Sequence, residues 1–139
     1  MAKIFWDTNL FIYLLEENPV FCDQVAQLRA RMITRGDRLY TSTLTVGEVL
    51  AKPPAGDPRR QRYLDFFRNP AIIVTPFDLS AAATYGDLRR DRNVSPADAI
   101  QLACAAAAGT NLFITNDARL SRQVVTGVDF IVGLGRVPI

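Results

Sequence analysis

The chain has 139 residues, 49% of them hydrophobic and 22% charged, with a formal net charge of +2. That length and balance predict one globular domain able to bury a core, and they exclude a disordered chain and a nucleic-acid binder working by bulk charge. Histidine is absent, which excludes Ser-His-Asp and Cys-His nucleophiles and imidazole zinc sites; any chemistry must rest on carboxylates, hydroxyls, arginines or a bound ion.

Short apolar runs alternate with longer helical ones along the chain. Lys3–Trp6 reads as a strand, and Leu10–Glu16 and Phe21–Arg35 as helices, the second with Val25, Leu28 and Met32 at helical spacing. Gly36-Asp37 breaks that helix, and Leu39–Ser42 is a second strand. A helix from about Val46 ends before Pro53-Pro54. After the PPAGDP loop comes a helix over Arg59–Arg68, closed by Asn69-Pro70, and then the strand Ala71–Thr75. Leu79–Asp91 is helical, and Ser95-Pro96 opens another helix through Ala108, stopped by Gly109. Leu112–Thr115 is a fourth strand, Ala118–Val124 a short helix, and Phe130–Val132 a last strand. Strands separated by helices predict an α/β fold: a parallel sheet with helices on both faces and a ligand edge beyond the carboxyl ends of its strands.

Two cysteines, Cys22 and Cys104, stand far apart in no metal-like spacing. Cys104, in QLACAAAA, reads as a small core residue. A reducing cytoplasm is the expected compartment, with no signal peptide and no stretch of the ~20 apolar residues that span a bilayer. Only Lys3 and Lys52 are lysines; the other cations are arginines, suited to bidentate phosphate contacts.

Four acids share a kind of position. Asp7 ends the first strand, Glu48 falls in the first turn of the helix after the second, Asp98 in the first turn of the helix opened by Ser95-Pro96, and Asp117 just past the fourth strand. Singly, each is explained by capping: Asp7 and Asp117 as caps or Asx turns, Thr45 with Glu48 and Ser95 with Asp98 as capping boxes. Jointly, they gather at the ligand edge of an open sheet, on apolar flanks such as Trp6, Val49, Ile100 and Ile114. Carboxylates crowded on a buried floor repel one another unless some are protonated or a cation lies between them. A hard divalent ion with oxygen ligands, Mg²⁺ or Mn²⁺, answers that repulsion. Asn9 and Thr115, each two residues from an acid, have the character to support the site or to stabilise a local turn.

Asp7-Thr8-Asn9, Glu48 within Thr45-Val46-Gly47-Glu48-Val49, Asp98-Ala99 followed by Gln101-Leu102-Ala103, and Thr115-Asn116-Asp117 together resemble the PIN domain, most closely VapC-type toxins of bacterial toxin–antitoxin pairs. The resemblance covers essentially the whole chain. It implies a three-layer α/β/α sandwich with a central, mostly parallel sheet and metal-dependent endoribonuclease activity on single-stranded RNA. Acids matching Asp7, Glu48, Asp98 and Asp117 surround the metal, with Asp7, Asp98 and Asp117 as ligands and Glu48 shaping the site or holding a water. A homodimer and an inhibiting antitoxin are the implied partners. PPAGDPRR is richer in proline than the helical arm common in this region, which leaves the dimer and antitoxin surfaces open. RNA needs a basic approach path: Arg119 and Arg122 follow the last acid, and Arg59 and Arg60 begin a second cluster, while Arg89 and Arg90 read as a solvated helix face. A free-standing PIN nuclease and a non-catalytic binding module remain the alternatives. Other phosphate chemistries lack their motifs here: no GxxxxGK[ST] loop, and asparagine where a dehalogenase-like phosphatase has its second Asp.

Overall fold

The computed structural model describes every residue from Met1 to Ile139. In chain order the elements are β1 (Lys3–Trp6), α1 (Thr8–Leu15), α2 (Cys22–Arg35), β2 (Arg38–Ser42), α3 (Thr43–Leu50), α4 (Arg59–Phe67), β3 (Ile72–Thr75), α5 (Leu79–Leu88), α6 (Pro96–Ala107), β4 (Leu112–Thr115) and β5 (Phe130–Gly133). The five strands form one sheet in the order β3-β2-β1-β4-β5, and every neighbouring pair is parallel. The sheet is thus parallel throughout, in keeping with the parallel sheet expected from strands separated by helices.

Alternation along β1 divides the core. Ile4 and Trp6 face one side with Leu10 and Phe11 of α1, Val25, Leu28 and Met32 of α2, and Tyr63 and Phe67 of α4. Phe5 faces the other side, stacked 5.1 Å from Phe113, with the buried face of α6 from Ala99 to Ala105. Side chains of successive strand residues point to opposite faces, so a central strand must be apolar at every position. The result is the α/β/α sandwich anticipated above. Cys104 lies within the second core, where burial first, and then the Asp78 charge, pushes its thiol up to about 11; both cysteines are free thiols. No helix is long and apolar enough to cross a membrane.

Most boundaries differ from the sequence reading by a residue or more, α5 ending at Leu88 rather than Asp91, and three of the differences lie beside the acids. α1 begins at Thr8, directly after Asp7, rather than at Leu10. α3 begins at Thr43 rather than near Val46, because Ser42 is its cap and accepts from the Thr45 N–H at 3.3 Å. The segment after Asp117 forms only a single 3-10 turn, Leu120–Arg122. TSTLT offers several competent caps, and tertiary bonds choose among them.

The order of strands fixes where a ligand edge lies. From β1 the chain steps outward through β2 to β3, then crosses back to place β4 on the other side of β1. The carboxyl ends of β1 and β4 therefore flank the point where the winding reverses, the usual crevice of an open parallel sheet.

The opposite edge carries a structural carboxylate. Gly36 closes α2 with φ of 77°, a left-handed conformation that favours glycine. The turn presents Asp37, which accepts from the Ala2 N–H at 2.8 Å and from Arg35 Nε at 2.9 Å. Burial alone would raise the Asp37 carboxyl, but the Ala2 N–H and the Arg35 guanidinium outweigh it and hold it below the usual range. A depressed carboxyl stabilises the fold above its unfolded value of about 3.9, and that contribution is lost as pH falls through the folded value. Asp37→Ala is expected to cost about 2 kcal/mol at pH 7, by leaving the Ala2 N–H unpaired. Urea melts should show the gap between variant and parent narrowing below about pH 4, and a gap independent of pH would contradict this account.

Candidate functional site

Asp7, Glu48, Asp98 and Asp117 line one cavity of about 420 Å³, together with Thr8, Asn9, Lys52 and Gln101. Four separate segments deliver the acids: the turn out of β1, the body of α3, the first turn of α6 and the loop after β4. Each therefore stands where the sequence analysis anticipated a shared site, although two of the local readings change. Glu48 lies in the body of α3, not in its first turn, and Thr45 is not a cap, so Thr45 and Glu48 form no capping box. Ser95 does cap α6, accepting from the Asp98 N–H at 3.2 Å, with Pro96 at the first helical position. Asp7 caps α1, and Asp117 accepts from the Arg119 N–H at 2.9 Å. Capping and convergence are compatible here: the bonds to backbone N–H groups hold the carboxylates of Asp7 and Asp117, two of the four that line the cavity.

Asp7 is the most constrained of the four, only 8% exposed. Its Oδ1 accepts from the Thr8 N–H at 2.9 Å and, at the limit of bonding distance, from Gln101 Nε2 at 3.5 Å. Its Oδ2 accepts from the Thr115 hydroxyl at 2.8 Å. Burial pushes the Asp7 carboxyl above the usual range; the hydrogen bonds from Thr115, Thr8 and Gln101 oppose that, and the negative charge of Asp98 adds to it. Thr115 also accepts from the Asp117 N–H at 3.0 Å, so one buried hydroxyl ties the first and last acids together. Asn9 lies on the exposed wall of the cavity, and its side chain makes no hydrogen bond within the protein.

Beneath the acids lies a polar floor that sequence reasoning did not resolve. Gln101, 2% exposed, donates to Thr45 Oγ1 at 2.7 Å and Thr8 Oγ1 at 3.0 Å, and accepts from the Ser42 hydroxyl. Thr8 in turn donates to Glu48 Oε1 at 2.7 Å. The Thr41 hydroxyl stands 3.0 Å from the Trp6 carbonyl oxygen and 2.8 Å from Thr45 Oγ1. Buried polar groups of this kind are tolerable only when their partners are complete. The one signal in the sequence was a glutamine inside the apolar run AIQLACAAAA. Lys52 was also missed; it is the only cation lining this cavity.

The arginines divide. Arg119 and Arg122 line a second cavity of about 460 Å³ with Arg92, and Asp98 belongs to both cavities. Arg59 lies elsewhere, with its guanidinium paired to Asp57 at 3.0 Å and Glu16 at 3.1 Å, and Arg60 lines neither cavity. Arg89 donates to the Val94 carbonyl oxygen at 2.6 Å, a structural role, and Arg90 pairs with Asp87 one helical turn away.

An all-oxygen set of carboxylates, with hydroxyl and amide groups behind it, suits a hard divalent cation. No three acidic or thiol side chains stand close enough to share one ion directly. The residues fit an ion that keeps several waters and takes one or two carboxylates directly, as Mg²⁺ does.

Among solved structures, VapC20 of Mycobacterium tuberculosis, a toxin that cleaves the sarcin-ricin loop, aligns with a TM-score of 0.73 at 18% identity, covering 91% of this chain and 98% of that one. VapBC2 from Rickettsia felis, bound to a DNA fragment from its promoter, aligns at 0.71 and 17%, covering 94% and 97%. DNA-bound VapBC from Salmonella typhimurium aligns at 0.69 and 23%, covering 96% and 99%. Likeness at such low identity speaks to the fold. No curated protein matches the chain. The family model for the PIN domain matches residues 4–124, a span that holds all four acids and the whole polar floor. The chain belongs to the PIN domain family.

Proposed function

We propose that the protein is a divalent-metal-dependent endoribonuclease acting on single-stranded RNA, the toxin of a type II toxin–antitoxin pair. The observation that carries this reading is the convergence of four carboxylates from four segments on one cavity above a hydrogen-bonded floor. The structural neighbours support it: one is a toxin that cleaves the sarcin-ricin loop, and others are toxin–antitoxin complexes. The partners proposed with it are an RNA substrate, a cognate antitoxin and a second copy of the chain.

Asp7, Asp98 and Asp117 would together hold one or two Mg²⁺ ions, no single ion taking all three carboxylates directly, with Mn²⁺ as a substitute. When bound, the metal lowers the pKa of a water and neutralises charge growing on phosphate oxygens. The rest falls to the protein. Asp7 is fixed in orientation by Thr115 and Thr8, which spares it the rotamer search that a flexible ligand must make. Glu48, held by the Thr8 hydroxyl, keeps one carboxylate oxygen for a water in the cavity. Asn9 supplies an amide at the wall, and Lys52 an ammonium that a phosphate entering the cavity would meet.

The test joins activity to stability. Cleavage of defined single-stranded RNAs should require Mg²⁺ and stop in EDTA. Mg²⁺ should also raise the melting point, since an ion at a hundred times its Kd adds about 2.7 kcal/mol. Cleavage that persists in EDTA, or a melting point indifferent to Mg²⁺ and Mn²⁺, would reduce the acids to helix caps and favour a binding module.

A further inference from the structure

The second cavity adjoins the first through Asp98 but has the opposite character. Arg92 and Asn93 come from the turn between α5 and α6, and Arg119 and Arg122 from the turn after β4, so two distant segments bring three guanidinium groups to one groove. The side chains of Arg92 and Arg122 make no ion pair and no hydrogen bond within the protein. Arg119 reaches Asp117 only at 3.6 Å, with its side chain 87% exposed, an approach too long and too wet to hold its donors. Contrast Arg59, committed to two carboxylates, and Arg89, committed to a carbonyl oxygen. The three arginines thus remain free for a ligand, and planar forks of donors suit phosphate oxygens.

Position gives this groove its meaning. A cavity lined by four carboxylates repels a polyanion, so the acids alone cannot retain a nucleic-acid strand. We infer that the groove of Arg92, Arg119 and Arg122 is a phosphate-binding subsite that grips the RNA backbone next to the nucleotide being cut, independently of the metal. This rests on the nuclease reading for the identity of the strand, but the grip itself does not require catalysis. Its consequence is that the protein should bind single-stranded RNA with the metal removed, and that cleavage should weaken when the substrate is too short to reach the groove.

The test uses the full chain, the double variant Arg92→Ala/Arg122→Ala, and Arg31→Ala as a control that removes an exposed charge on α2 outside both cavities. The probe is a fluorescein-labelled single-stranded RNA of random sequence, about 12 nucleotides long, within the range of sites that such grooves span. Anisotropy is read in EDTA across a salt series, and a polyglutamate peptide of similar charge serves as a second probe. The double variant should bind RNA about tenfold more weakly, and its dependence of log K on log salt should flatten by about 0.7 for each phosphate no longer neutralised. The control should match the parent, and polyglutamate should bind more weakly than RNA.

The inference is overturned if the double variant binds RNA as the parent does, if the parent does not bind RNA at all, or if polyglutamate binds as well as RNA and is weakened equally in the variant. Cleavage in Mg²⁺ is scored separately. Arginine-dependent binding without cleavage would sink the nuclease reading and leave the subsite standing; cleavage without arginine-dependent binding would do the reverse.

Discussion

Asp7→Asn is expected to abolish Mg²⁺-stimulated RNA cleavage, by a factor of about a thousand or more, equivalent to about 4 kcal/mol of barrier. The same variant should fold as stably as the parent, or more stably, when no metal is present. The reason lies in the burial that raises the Asp7 carboxyl, reinforced by the nearby charge of Asp98. A carboxyl raised in the folded state favours folding when protonated; that contribution is complete below the unfolded value of about 3.9 and disappears as pH rises through the folded value. At neutral pH the ionised group is therefore a net cost, and asparagine removes it while keeping an acceptor for the Thr8 N–H. Stability sacrificed at an active position is a common pattern in enzymes. Paired measurements decide the matter: Mg²⁺-dependent turnover, and urea melts in EDTA at several pH values. A variant that cleaves like the parent removes Asp7 from the chemistry, and one that melts far below it makes Asp7 a structural residue.

Gln101→Leu should have the largest effect on the fold. The leucine fills similar space but offers neither the amide donors that reach Thr8 and Thr45 nor the acceptor for Ser42. Three hydroxyls in a dry layer would then each be short of a partner, at an expected total cost of about 3 kcal/mol. For a chain of this length that lowers Tm by roughly 10 °C. Gln101 also acts as a positioning residue, because the Thr8 hydroxyl it orients is the one that holds Glu48. Turnover number should therefore fall more than KM rises, whereas simple destabilisation would lower the active fraction and leave KM alone with recovery at low temperature. A Leu variant as stable as the parent would show that the floor is dispensable.

Much of the architecture is legible in the chain because it is written in local pattern. The central strands β1 and β4 show as apolar runs, since a central parallel strand is buried on both faces, while β2 ends in the buried hydroxyls of Thr41 and Ser42. Asp7, Asp98 and Asp117 stand out because each marks a strand end or a helix opening, where the fold collects its ligand edge, whereas Glu48 sits in the body of α3. What escapes is non-local. Whether Ser42 or Thr45 caps α3 is decided by Gln101, far along the chain, which engages both hydroxyls. Arg59 reads as a nucleic-acid contact until its pairing with Glu16, 43 residues earlier in the chain, becomes visible. Arg92 follows Arg89 and Arg90 in the chain, and only the docking of the turn after β4 sets it beside Arg119 and Arg122. Gln101 does carry a local sign, a glutamine surrounded by alanine, leucine and cysteine.

The place of β1 between β2 and β4 bears on how such a protein is made. The strand synthesised first is flanked on one side by the next to emerge, while its other side waits until residues 112–115 leave the ribosome. A nascent or truncated chain lacking β4 has neither Asp117 nor the Thr115 hydroxyl that steadies Asp7, so it cannot assemble the cavity whatever else has folded. The acid-lined cavity is thus completed only when β4 closes the sheet around β1.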